Sequence, residues 1–574
     1  MDVLLLMIVC LCSFFLAYKF YGTFISKRIF ELSDSKETPA HKFEDGIDYV
    51  PTKKEIIFGH HFASIAGTGP IVGPAIGIIW GWVPAIIWIV LGTITIGSVH
   101  DFGSLVLSIR NEGKSISEIT GKYINKRTQR AFFSIVFLEL LIVIAIFGLV
   151  MAIIFSMFPE SVFPMWFQIP IAVWLGWMIY KKNGNLVLFS IIAVTIMYLT
   201  IVIGTFIPLQ LPGIGILPAT GLWTIILFIY AYIASMLPVT TLLQPRDYIN
   251  SHQLFVALFL LFLGIVASAF RNPNFHLVAP AINLNPTGAP PLVPFIFITI
   301  ACGAISGFHS LVSSGTSAKQ LNIESDSQII GYGGMVMEGI LATLVLIAVA
   351  AGIGIAYQNA DGNILTGIPA WTAHYSSWAA AEGLGSKISA FVIGAANMIQ
   401  SSGIPKSFAI ALMGVFVVSF AGTTLDTATR IQRYVLSELF VEVKTFQNRH
   451  FSTAIAVITA GLLAFATGAS GKGALKLWPM FGATNQTLAA LALLLITLWL
   501  KRKGGIKFLI SGIPCVFMAL ITTCALVINQ FRFINSKDLL LSTLNLIILF
   551  LNLWIIVEGV IVLVLKKERT TNKN

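Results

Sequence analysis

Apolar residues fall along this chain in blocks of about 17 to 30, parted by short polar segments, a length that matches a hydrocarbon core about 30 Å thick. Read by length, the blocks predict about fifteen membrane-spanning helices. They lie near residues 3–20, 55–80, 82–109, 132–157, 164–180, 185–207, 221–244, 253–271, 292–317, 329–357, 403–436, 451–468, 475–500, 508–529 and 540–565. A further apolar piece at 388–400 is too short to cross and has loops on one side at both ends, which predicts a re-entrant or capping hairpin. The expected class is all-α, a polytopic membrane protein. Its expected parts are an N-terminal helix and loop (1–54), a core (55–500) and two C-terminal helices with a basic tail (501–574).

Two blocks are apolar enough to cross but carry helix breakers. In 55–80 these are Gly67, Gly69, Pro70, Gly73 and Pro74. In 292–317 they are the glycines and hydroxyls of Cys302 to Ala318. Unwound backbone within a bilayer is tolerated only where protein buries it or a watery cavity meets it, so the breaks point to a binding site. The same glycines would also permit close helix packing. Phe308-His-Ser-Leu-Val before Gly315-Thr316 echoes Phe62-Ala-Ser-Ile-Ala before Gly67-Thr68. Span counting sends the two blocks across in opposite directions, as an inverted repeat requires. Each helix that restarts after a break offers free N–H groups and a positive dipole end. The expected anion cradle therefore lies at Ser64, Ala66, Gly67, Thr68 and Gly69 with His309, Ser310, Ser313, Ser314 and Gly315, the hydroxyls adding donors. Asn485, in Trp478-Pro-Met-Phe-Gly-Ala-Thr-Asn-Gln486, either lines the same cavity or bonds a neighbouring helix.

Composition supports the membrane reading: 56% of the 574 residues are hydrophobic and 11% charged, against about 25% charged in soluble domains. The net charge of +11 does not indicate nucleic acid, because Lys and Arg collect in alternate short loops. Arg110 to Arg130, Arg430 to Arg449 and Lys501 to Lys503 fall on one side, while 208–220 and 272–291 hold none. That side is expected to be cytoplasmic, with the N-terminus outside and the C-terminus inside. The five cysteines form no paired ligand set. They read as helix-packing residues.

Ionisable residues inside spans are costly and call for a partner or a function. His100 and Asp101 lie about 15 Å from the basic end of their helix at a rise of 1.5 Å per residue, placed to bind or relay a proton or to steady the bundle. Thr423, Asp426, Thr427 and Arg430 share a helix face. Thr423 and Thr424, with carbonyls freed near Ala63, would suit a monovalent cation, with Asp426 as counter-charge. An Asp426–Arg430 pair is the structural alternative. Glu139, Glu338 and Glu558 are assigned no role, and His60 and His61 read as interfacial. No metal site is expected. Gly468 to Gly473 fails as a phosphate loop, and no His-Glu-x-x-His occurs; an enzyme is not expected.

Taken together, His60 to Pro70, Gly97-Ser-Val-His-Asp-Phe-Gly103, Gly422-Thr-Thr-Leu-Asp426 and Trp478 to Gln486 resemble the carbon starvation protein A family over nearly the whole chain. The resemblance implies a bacterial inner-membrane importer induced when carbon is short, with members taking up peptides or pyruvate, the latter with protons. It also implies a five-plus-five inverted repeat. Here six helices rather than four separate the broken spans, and the sequence does not place the extra pair. The expectation is cation-coupled import of a small carboxylate-bearing nutrient by alternating access, without a cofactor, the coupling ion being H+ or Na+. The alternative is a membrane sensor that binds the nutrient without moving it. Expected partners are the small-molecule substrate and the bilayer, with no nucleic acid.

Overall fold

The computed structural model describes residues 2–273, 275–359 and 361–565. Helix α1 (Asp2–Phe30) precedes a first series: α2 (Lys54–Ile65), α3 (Gly69–Trp80), α4 (Trp82–Ile109), the short α5 (Ile116–Tyr123), α6 (Lys126–Met157), α7 (Pro159–Lys181), α8 (Leu186–Phe206), α9 (Ala219–Met236) and α10 (Leu243–Arg271). A second series follows: α11 (Leu292–Thr299), α12 (Gly307–Gly315), α13 (Glu324–Gly354), α14 (Gly367–Tyr375), α15 (Trp378–Glu382), α16 (Leu384–Ser401), α17 (Lys406–Leu439), α18 (Arg449–Phe465) and α19 (Lys472–Arg502). Helices α20 (Leu509–Asn535) and α21 (Leu539–Val564) close the chain. Strand structure among the described residues is one two-residue pair, Tyr357–Gln358 with Ile364–Leu365.

Twelve of these helices are long and apolar enough to cross a membrane, and α2–α3, bent by 42° at its break, makes a thirteenth span. The shorter apolar α18 and the broken pair α11–α12 complete the fifteen that the apolar blocks predict. The two largest boundary differences from expectation are at α1 and α10. Helix α1 continues to Phe30 because Phe30 is buried against Phe102 and Trp499, with ring centroids 4.9 and 5.6 Å away. Helix α10 starts at Leu243 rather than near 253, with Pro245 in its first turn, where the missing N–H costs nothing. This carries Arg246 and Asp247 into a buried helix.

An inverted repeat is visible in the packing. Helix α13 lies against α3, and its counterpart α4 lies against α12. Helices α6 and α17 pack on each other, as do α9 and α18; α10 meets α17 where α19 meets α6. The first repeat is therefore α2–α3, α4, α6, α9 and α10, and the second is α11–α12, α13, α17, α18 and α19. Helices α7 and α8, which pack together and against α10 and α17, have no counterpart. They are the extra pair. With six spans between them, the two broken spans run in opposite directions.

The short piece expected at 388–400 is the longer α16, which with α14 and α15 forms a helical cap. Helix α16 packs on α3, α10, α13 and α17, at the end of the bundle opposite the basic loops. Its Lys387 is fully buried, donating to the His374 carbonyl at 2.6 Å and lying 3.9 Å from the Tyr375 ring centroid. The Tyr375 hydroxyl in turn donates to the Ala75 carbonyl of α3. Buried polar groups satisfied in this way fix where the cap sits.

Candidate functional site

The first break is where the glycines place it. Helix α2 ends at Ile65, and Ala66, Gly67 and Thr68 lead into α3, where the N–H groups of Ile71 and Val72 both reach the Thr68 carbonyl. Ser64 stays close: its carbonyl accepts from Thr424 Oγ1 at 3.2 Å, and its hydroxyl lies 3.4 Å from Thr427 Oγ1. A Cβ at Gly67 would strike the Thr424 hydroxyl, and one at Gly69 would strike Cys302. Both positions need a bare backbone.

The second break lies elsewhere than expected. Helix α11 ends at Thr299, residues 300–306 are not α-helical, and α12 restarts at Gly307. Gly303 takes φ +89° there, open to glycine at no steric cost, and its N–H donates to Glu338 Oε1 at 3.0 Å. The restart is capped from within the protein: Asn485 Oδ1 accepts from Phe308 N at 2.9 Å, and Asn485 Nδ2 donates to Ser306 Oγ at 3.0 Å. Ser310, Ser313, Ser314 and Gly315 sit one to two turns further on, inside and at the end of α12, and do not form the cradle expected of them. The Phe62/Phe308 echo joins the half of one span before its break to the half of the other after it. It is not the repeat, which lies in the packing.

The two breaks meet at Cys302, Gly69, Phe147 and Phe481, which line both of two neighbouring cavities. One, between the breaks, measures about 10 Å³, room for about one water. The other, about 90 Å³, runs from Thr68 and Gly69 past Ile76 to Trp378 of the cap and Arg532 of α20. The space between the breaks is small, and the larger cavity beside it runs toward the cap.

Beside the second break runs a chain of buried titratable groups. His100 Nδ1 is 2.7 Å from Asp101 Oδ1; Asp101 Oδ2 is 2.8 Å from His309 Nδ1; His309 Nε2 is 3.2 Å from Glu338 Oε2. Cys302, His309 and Glu338 place their ligand atoms within 4.8 Å of one another. All four ionisable groups of the chain are inaccessible to solvent. Glu338, assigned no role from sequence, thus ties the break to Asp101. His61, expected at an interface, is buried nearby and 2.9 Å from Ser317 Oγ.

A second buried network joins α2, α9, α10 and α17. The Arg246 guanidinium bonds both oxygens of Asp426, and its Nη2 also donates to Asp247 Oδ1 at 2.6 Å. Tyr230 donates to Asp426 at 3.1 Å, Thr423 to Asp247 at 3.1 Å, and His60 Nδ1 lies 2.6 Å from Asp247 Oδ2. Asp426 is therefore not paired with Arg430. Arg430 instead holds Asp48 at 2.9 Å. The place read as a cation site already contains a cation, Arg246, which sequence reasoning passed over as part of a loop.

At the basic end, residues 45–52 are strapped to the segment after α12: Val50 N donates to the Lys319 carbonyl and Thr52 N to that of Gln320. Burial pushes the Asp48 carboxyl up, but Arg430 and Arg433 pull harder, and it ends below its ordinary value. A depressed carboxylate stabilises above the ordinary Asp pKa of about 3.9 and loses that contribution as pH falls through its folded value. Proteolytic cleavage within 43–53 is accordingly expected to speed up below about pH 4. Asp48→Asn should cleave fast at neutral pH and lose that acid dependence.

The family model for the carbon starvation protein CstA matches residues 2–525. A peptide transporter CstA of Helicobacter pylori is 33% identical over 576 residues, covering 91% of this chain and 81% of its own. The pyruvate/proton symporter BtsT of Escherichia coli is 31% identical over 586 residues, covering 90% and 80%. A crystal structure of a manganese transporter mutant from Eremococcus coleocola aligns with a TM-score of 0.50 at 12% identity, covering 90% of this chain and 99% of that one, a likeness of fold alone.

Proposed function

The chain belongs to the carbon starvation protein CstA family, and from that premise we propose that it is a secondary active importer of small carboxylate-bearing nutrients, pyruvate or short peptides, working by alternating access in the bacterial inner membrane when carbon is scarce. The observation that carries the reading is the pair of oppositely running broken spans meeting at Gly69 and Cys302, with a cavity running from that meeting point toward the cap and residues 45–52 strapped across the basic end. In this reading the basic end is cytoplasmic, the N-terminus is outside, and solute enters from beneath the cap. The first break, Ala66 to Thr68, and the second, residues 300–306 held by Asn485, are the surfaces that rearrange around it.

The coupling ion is a proton in this proposal. Four buried ionisable groups follow one another, His100, Asp101 and His309 in hydrogen-bond contact and Glu338 Oε2 3.2 Å from His309 Nε2, and form a path on which a proton moves between sites a few ångströms apart. At the set Ala63, Thr423, Thr424 and Asp426, the Asp426 carboxylate is already paired with the Arg246 guanidinium, which stands where a coupling sodium would. Uptake of labelled pyruvate and alanylalanine into proteoliposomes under imposed proton or sodium gradients tests both statements. Accumulation driven by a proton gradient alone is expected, and none with either gradient would remove the proposal. Glu338→Gln should abolish gradient-driven accumulation, more than about tenfold, yet keep exchange of labelled for unlabelled solute, because it removes a proton site without closing the path. Asp426→Asn should not create or remove a sodium requirement.

A further inference from the structure

The cavity under the cap carries one charged side chain, and that side chain belongs to neither repeat. Asn529 and Arg532 stand three residues apart on α20, a spacing that puts both on one helix face, and both line the cavity whose far end is Thr68 and Gly69. Asn529 is 1% exposed, and its Nδ2 has no hydrogen-bond partner. A buried donor left unsatisfied costs about 1–3 kcal/mol, so a donor on a cavity-lining residue calls for a ligand.

Arg532 lies at the exposed rim of the cavity, its guanidinium carbon 5.7 Å from the Phe295 ring centroid. Among the described residues it makes no ion pair. Asp538, the acidic group just beyond the end of α20, is 3.9 Å from Lys476 instead. No carboxylate lines the cavity. The backbone ends that would otherwise attract an anion are in part taken up, since Asn485 caps the second restart.

We propose that Asn529 and Arg532 form a carboxylate-recognition subsite at the entrance of the solute path. The guanidinium fork takes the carboxylate bidentately, Asn529 Nδ2 donates to one of its oxygens, and the rest of the solute extends toward Thr68. The shared chemistry is a carboxylate, carried either by a free small acid or by the C-terminus of a short peptide. The proposal rests on the preceding reading only in taking the solute to be such an anion.

Trp378 and Trp478 line the same cavity, so their emission reports its filling. The test titrates the purified full-length protein with pyruvate, with alanylalanine and with alanylalanine amide, and follows tryptophan fluorescence. Arg532→Gln is expected to weaken binding of the carboxylates about ten- to a hundredfold, the range for a lost charge-assisted bond, and to leave the amide unchanged. Asn529→Leu should weaken them in the same sense, and Arg532→Lys should fall between wild type and Arg532→Gln. An effect on pyruvate alone, or on the dipeptide alone, identifies the source of the carboxylate and supports the subsite. Equal affinities in wild type and Arg532→Gln overturn it, as they would if the guanidinium served lipid phosphate; so does a wild type with no saturable response to either carboxylate. Because the readout is binding, absent uptake with binding intact removes the importer reading and leaves the subsite standing.

Discussion

Arg246→Ala is expected to cost about 3–5 kcal/mol of stability, the penalty for leaving a buried charge without its partner. It should lower the thermal midpoint of the detergent-solubilised protein more than any other single truncation in the core. Arg246 is 2% exposed and its two carboxylate partners are fully buried; the guanidinium also donates to Tyr230 at 2.5 Å. Without it, Asp247 keeps His60 and Thr423, while Asp426 keeps only Tyr230 and faces the second carboxylate across an empty space. Removing the two negative charges should offset the loss of the positive one. Asp247→Asn with Asp426→Asn should recover much of the loss in the Arg246→Ala background while destabilising the wild type, a coupling larger than additivity allows. Arg246→Lys, a point charge without the planar fork, should fall between. An Arg246→Ala protein that melts with the wild type would show that the two aspartates do not depend on the guanidinium.

That network also marks where sequence reading stops. The fifteen spans were legible because bilayer thickness imposes one length on every apolar block. The first break was legible because Gly67, Gly69 and Pro70 interrupt such a block together. The second was misplaced by a local effect: residues 300–306 are almost as apolar as a helix, while the serine-rich stretch after them looks broken and is helical. Its hydroxyls bond back along the helix, Ser310 to the Gly307 carbonyl and Ser314 to that of Ser310, each at 2.7 Å, so they leave the ladder intact. Pairings were less visible still. Asp426 meets Arg246 across 180 residues and Asp101 meets His309 across 208, whereas the i, i+4 rule pointed to Arg430. Arg246 and Asp247 were hidden because a charged pair after Pro245 reads as a loop, although proline fits the first turn of a helix. The free donor on Asn529 leaves no trace in the sequence at all.

Gly69→Ala is expected to reduce solute uptake by about tenfold or more, through one methyl group. Where the two broken spans approach each other, that methyl would clash with both Cβ and Sγ of Cys302, and neither neighbour can yield cheaply. Cys302 sits in the short unwound stretch held by the Gly303 bond to Glu338, and Gly69 opens the helix held by Thr68. Overpacking of this kind costs about 1–3 kcal/mol, and about 1.4 kcal/mol is a factor of ten. The strain falls on the seam that alternating access must open and close, so the loss should appear in transport rate more than in membrane insertion. Cys302→Gly removes both offending atoms. Combined with Gly69→Ala it should restore part of the uptake, and alone it should leave Gly69 free of contact there. Recovery in the double variant would establish that the two breaks work as one seam; a double variant as inactive as Gly69→Ala would place the damage elsewhere, either in the dihedral freedom of Gly69 itself or in a direct role for the Cys302 thiol.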